Sequence, residues 1–222
     1  MDGTTNTGRL YGGVKSFACP NCGGIVDVRA PGQTLSAGCT HCGTVIDITD
    51  ENFRILQEYN LKMKSPLIPL GSRGKLDGVT WEVIGFMTRK SGLWDFYWDE
   101  YLLFNPIHGF HWLTNAYGHW TLVEGMMDKP TYSSDGKTVN FEKKNYKRFS
   151  GGDAVIQYVI GEFYWFAEIG DTVKVYDFIS PPEVISAEIE NGGIFWSKGR
   201  HIEPAEIKEA FNLFDTDGKG SI

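Results

Sequence analysis

The chain has 222 residues, 21 Lys and Arg against 28 Asp and Glu, and a formal net charge of −7 at pH 7. That acidic balance argues against a dedicated nucleic-acid binder, which carries a basic face, and 14% aromatic residues exclude a disordered chain. No apolar run approaches the ~18 residues a bilayer span needs, and the first residues hold no signal-peptide core, so a cytoplasmic protein without a transmembrane segment is expected.

In chain order, residues 1–14 are rich in Gly and Thr without apolar periodicity and read as a flexible lead-in. All four cysteines follow within a short stretch, as Cys19-Pro20-Asn21-Cys22 and Cys39-Thr40-His41-Cys42, the spacing C-x2-C-x16-C-x2-C. Two residues between thiols let one tight turn present both sulfurs to a single ion. Two such turns complete a tetrahedron, so residues 15–49 read as a zinc ribbon with Cys19, Cys22, Cys39 and Cys42 as ligands of structural Zn2+. Glycines after each pair allow the chain to bend back into a strand. Disulfides, a redox pair and an iron–sulfur cluster explain two matched pairs less well than one shared ion. With four thiols present, His41 reads as a spectator.

Thr49 or Asp50 is placed to cap a short helix carrying Phe53, Leu56 and Tyr59, and Ser65-Pro66 and Pro69 mark a linker, so 50–69 forms a helix and connector. From Leu70 to 202 the pattern turns to short β-branched and aromatic segments broken by glycine. Candidate strands begin at Val79, Tyr97, Phe110, Trp120, Lys137, Ala154, Glu162, Val173 and Val184. Their spacing predicts a mainly β fold, an antiparallel sandwich or small barrel. Val83-Ile84-Gly85 recurs as Val159-Ile160-Gly161, and Phe110-x-Trp112 as Phe163-x-Trp165, which raises the alternative of two related modules. Glu203-Pro204-Ala205-Glu206 then starts a C-terminal helix with Ile207, Ala210, Phe211 and Phe214 on one stripe, predicted to pack on the β domain.

Several of these stretches are familiar together. Trp81-Glu82-Val83-Ile84-Gly85, Trp98-Asp99-Glu100-Tyr101-Leu102-Leu103-Phe104, Gly109-Phe110-His111-Trp112-Leu113, Gly161-Glu162-Phe163-Tyr164-Trp165 and Tyr176-Asp177-Phe178-Ile179-Ser180-Pro181-Pro182 resemble the bacterial domain-of-unknown-function family 4178. The likeness spans about 70–213, with the ribbon in front. It implies a β-rich, cytosolic accessory protein, often encoded near membrane-associated or stress-related proteins, and it carries over no active site. The last 17 residues resemble the entering helix and half loop of a calmodulin- or centrin-type EF-hand. In that register Asp215 and Asp217 stand at calcium-ligand positions 1 and 3, Lys219 replaces an oxygen donor, and the glutamate of position 12 is missing, so calcium binding is not expected.

His108, His111 and His119 lie close in sequence to Glu100 and Glu124, yet their spacing does not turn them to one side of a strand. No nucleophile elbow, phosphate loop or HExxH helix accompanies them, so the chain is read as non-catalytic. The expectation is a zinc-binding accessory or adaptor protein that engages another protein. Two rivals stand beside it: a nucleic-acid-binding ribbon, and an enzyme or small-ligand binder with an aromatic cleft.

Overall fold

Two knuckles open the computed structural model, which describes residues 16–58, 64–190 and 192–213. The strands β1 (Ser16–Ala18) and β2 (Ile25–Asp27) pair with each other alone. β3 (Ser36–Gly38), β4 (Val45–Asp47) and β5 (Ile55–Gln57) form a second antiparallel set. Phe17, Val26, Val28, Ala37 and Ile46 fill the small core between them.

The helix expected after Thr49 does not form. Asp47 Oδ1 accepts hydrogen bonds from the Thr49 amide, the Thr49 hydroxyl and the Asp50 amide, and Asp50 Oδ1 accepts one from the Asn52 amide. The polar side chains that looked like helix caps close two tight turns instead, the competing use of such residues. Phe53 takes a left-handed backbone, φ 52°, and stacks on Phe17 at 4.2 Å, and Ile55–Gln57 joins β4 as a strand. Tyr59 lies outside the described residues, as does the lead-in 1–14.

Beyond the knuckles the chain builds β6 (Arg73–Leu76), β7 (Val79–Ser91), β8 (Tyr97–Asn105), β9 (Gly109–Ala116), β10 (His119–Gly125), β11 (Thr131–Tyr132), β12 (Thr138–Phe141), β13 (Lys144–Phe163), β14 (Thr172–Ser180), β15 (Glu183–Glu190) and β16 (Gly193–Ile202). Eight of them run β13-β14-β15-β16-β10-β9-β8-β7, and β7 returns to pair with β13, closing one antiparallel barrel. The fold is mainly β, as expected, and the alternative of two related modules gives way to this single barrel. The recurring Val-Ile-Gly is its seam: Gly85 pairs directly with Gly161. On the other edge of β13, Gly161 pairs with Gly38 of β3, so the Cys-rich unit is joined to the barrel by backbone hydrogen bonds.

The row of paired residues through Gly85 and Leu102 comes back to β13 at Lys147, far along the strand from Gly161. Such an offset tilts the strands and widens a barrel. Because paired residues share a face, two surfaces follow. The outer face carries Trp81, Val83, Phe86, Tyr101, Leu113 and Trp120, covered by Ile68, Leu76 and the helix α1 (Pro204–Phe211). The predicted stripe does pack on the β domain, through Ile207 and Phe211, with Ala210 against the same cluster. Asn212, with φ 50°, closes the helix in the left-handed conformation, and Phe214 lies outside the described residues. A second outer cluster around Phe178, Ile185 and Trp196 includes Val139 of β12. Among the described residues no helix is long and apolar enough to cross a membrane.

Candidate metal centre and barrel lumen

The two knuckles are built alike. The Cys19 amide donates to the Gly24 carbonyl at 2.8 Å and the Gly23 amide returns to Cys19, while Cys39, Thr44 and Gly43 repeat the pattern at 2.9 Å. Gly23 and Gly43 both adopt positive φ, 75° and 77°, where a side chain would be strained. This geometry brings the four sulfurs within 4.8 Å of one another, and Cys19–Cys42 and Cys22–Cys39 both stand at 3.8 Å. A tetrahedral ion with metal–sulfur bonds of ~2.3 Å spaces its sulfurs by about 3.8 Å. The donor set therefore fits one thiolate-bound ion, and four residues fill all of its positions.

The protonation chemistry differs among the thiols. Burial pushes Cys39 up to about 12 and raises Cys19. Burial also opposes ionisation of Cys42, but hydrogen bonding, first with the Thr44 hydroxyl 3.2 Å away, outweighs it and brings Cys42 down to about 7. His41 stays out of the cluster and packs against Gly24, while its amide donates to Cys39 Sγ at 3.4 Å.

One buried carboxylate ties this unit to the barrel. Glu162, fully buried near the end of β13, accepts the Arg29 amide at 2.7 Å, the Ala30 amide at 3.0 Å and the Thr34 hydroxyl at 2.9 Å. Burial raises its proton affinity, and these hydrogen bonds oppose that rise. Arg29 itself is held by Glu82 at 3.0 Å, with Asp27 at 3.6 Å and Glu162 at 3.8 Å.

His108, exposed in the β8–β9 turn, and His111 both lie against Trp81, at 6.2 and 4.2 Å, with His111 Nε2 3.3 Å from Glu124; His119 stands apart from them, near His201 at the start of β10. Glu100 points instead into the barrel. Asp215 and Asp217 lie outside the described residues.

Sequence reading missed the barrel's interior, which together with the residues around its open mouth forms a cavity of about 1990 Å³ lined by residues from β7 to β16. One end is plugged by Leu102, Phe104, Ile156 and Phe163, with Phe110, Trp112 and Trp165 against them. The other part is polar. Arg89, 6% exposed, lies between Glu100 at 3.3 Å and Glu188 at 2.9 Å, and Trp98 Nε1 donates to Glu100 at 2.6 Å. Asp177 accepts the hydroxyls of Ser150 and Ser186. Period-two alternation marks these inward positions, but only closure of the sheet makes their face an interior.

The fold and site define a closed antiparallel β-barrel to which a four-cysteine unit is hydrogen-bonded. Residues 69–204 match the family described as a domain of unknown function (DUF4178), and the chain belongs to that family. No curated protein and no solved structure matches the chain.

Proposed function

We propose that the chain is a non-catalytic, zinc-binding accessory protein of the cytoplasm, in which a structural Zn2+ holds an adaptor unit onto the barrel. The observation that carries this reading is the sulfur cluster. Its separations suit thiolate–zinc bonding, and its four protein ligands leave no position for water or substrate. Cys19, Cys22, Cys39 and Cys42 hold the ion, and zinc would supply fold stability there rather than chemistry. None of His108, His111 and His119 lines the barrel cavity, which supports a non-catalytic role. Engagement of Arg29 by three carboxylates speaks against a nucleic-acid face on the ribbon. Exposed Trp94, Phe149 and Phe195 along the cavity mouth suit contact with a protein partner, in keeping with the membrane- or stress-associated setting that the family likeness implies.

Metal analysis of the purified chain should give one zinc per molecule, and Cys39→Ser should lose both the metal and the protection of residues 16–58 from proteolysis. Zinc-free protein with unchanged stability in the Cys39→Ser variant would overturn the metal assignment. Native co-purification that returns no stoichiometric protein would overturn the adaptor role.

A second reading is favoured by the cavity itself: a barrel of this volume, with aromatic lining and a few buried charges, has the make-up of a small-ligand site.

A further inference from the structure

The lumen has a sign. Its lining residues include five Lys and Arg, namely Arg89, Lys129, Lys137, Lys147 and Arg148, against eight Asp and Glu. Around Arg89 the imbalance is sharper. Arg89 is already shared by Glu100 and Glu188, and no cation forms an ion pair with Asp177 among the described residues. An anionic ligand at Arg89 would have to displace a carboxylate. A neutral one would leave Asp177, and one of the two carboxylates that share Arg89, without a compensating charge in a drier site, which is costly.

Beside these carboxylates stands a group of aromatic rings. Tyr164 meets Phe110 at 4.8 Å, Trp165 at 4.8 Å and Trp112 at 6.4 Å, and its hydroxyl accepts Trp112 Nε1 at 3.1 Å. Glu100 pairs with Thr114, two positions along β9 from Trp112 on the same face, so the rings and the charges line one stretch of the barrel wall. Aromatic faces attract ammonium groups, and more strongly when water is excluded.

We propose that the lumen binds a small organic ammonium cation, with Trp112 and Tyr164 providing ring faces and Glu188 and Asp177 the balancing charge. This rests on the reading of the barrel as a small-ligand binder and does not depend on the zinc or on a protein partner. Arg89 acts as a positioning residue that holds Glu188 toward the lumen. Glu100, buried and bonded to Trp98 and Arg89, keeps that arginine in place.

The test is calorimetric titration of the zinc-loaded full chain at fixed ionic strength with tetramethylammonium, hexanoate and hexanol. Saturable binding of tetramethylammonium is expected, with no binding of hexanoate. Glu188→Gln, Asp177→Asn and Trp112→Leu should each weaken it by about tenfold or more. Near-UV circular dichroism checks that each variant is folded, and Asp177→Asn carries the test if Glu188→Gln misfolds. Saturable hexanoate or hexanol binding without tetramethylammonium binding would overturn the cation class and leave the ligand-binding barrel standing. Failure of all three probes would overturn both. Tetramethylammonium binding unchanged in folded Asp177→Asn and Trp112→Leu would overturn the lumen as its site.

Discussion

The buried carboxylate of Glu162 accepts the main-chain amide of Ala30 at 3.0 Å, across 132 residues of sequence. With the Arg29 amide and Thr34 hydroxyl on the same side chain, it satisfies three donors that the Cys-rich unit presents to the barrel. Glu162→Ala would leave the two amides without acceptors, while the Thr34 hydroxyl can still donate to the Ala30 carbonyl at 3.0 Å; the cost is about 1–3 kcal/mol for each donor that water cannot reach. The expected outcome is a loss of at least ~2 kcal/mol in urea unfolding, with Glu162→Gln intermediate because its amide oxygen still accepts. Equal stability of Glu162→Ala and the parent chain would show that this junction contributes nothing.

Gly161 sits with φ 78° at the meeting of three strands, and a Cβ there would come within 2.3 Å of the Ile84 carbonyl oxygen. Gly161→Ala is therefore expected to cost ~3 kcal/mol or more, or to prevent folding, since left-handed strain and a backbone clash act together. Gly125→Ala is the control, because nothing lies within 4 Å of the added atom. Thermal melts that rank the two alike would count against the seam described above.

Metal uptake should release protons. Cys39 at about 12 and the raised Cys19 are protonated at neutral pH in the metal-free chain, and Cys42 at about 7 is roughly half so. All must ionise to bind a metal, so zinc affinity should fall by more than tenfold for each unit of pH lost near neutrality. Competition with a chromophoric chelator across pH 6–8 checks this; a pH-independent affinity would mean that the thiols are already ionised.

The Tyr146 hydroxyl donates to Glu183 at 2.6 Å and Lys144 Nζ donates at 2.9 Å, joining β13 to β15. These contacts, the tyrosine first, hold the Glu183 carboxyl below its ordinary value. A depressed folded pKa means that the unfolded chain binds the proton more readily. The contribution is therefore present above the unfolded carboxylate value of ~4.3 and is lost as pH falls through the lower folded value. Tyr146→Phe should cost ~1–2 kcal/mol at pH 7 and progressively less below about pH 4. Denaturant midpoints of the two proteins that stay parallel down to pH 3 would contradict the assignment.

The metal ligands were legible because thiolate spacing is a local property: two x2 turns define the site before any tertiary contact forms. Most strands were legible as well, from β7 through β10 and at β14 and β15, since alternation and turn residues are local signals. The misreadings share one cause. Ala154 to Ile160 and Glu162 to Ile169 look like two strands because Gly161 reads as a break. The chain in fact runs straight through Gly161 as one strand to Phe163, since that glycine is paired on both sides. Phe53 and Leu56 have helical spacing, yet stacking on Phe17 and the edge of β4 override it. β6 was missed although Asp77-Gly78 offers a tight turn into β7. The Arg89–Glu100–Glu188 group joins β7, β8 and β15, and no spacing rule links positions so far apart.

β3 has a further role that follows from its place along β13. Gly161 pairs with Gly85 of β7 on one flank, and residues 161–163 pair with β3 on the other, so the knuckle covers what would be a bare strand margin. Removing the ion would peel that cover away and expose main-chain donors and acceptors beside the buried Phe163. Chains stripped of metal should then associate margin to margin, as unprotected strands do. The four cysteines would in that case guard the barrel's solubility as much as its shape.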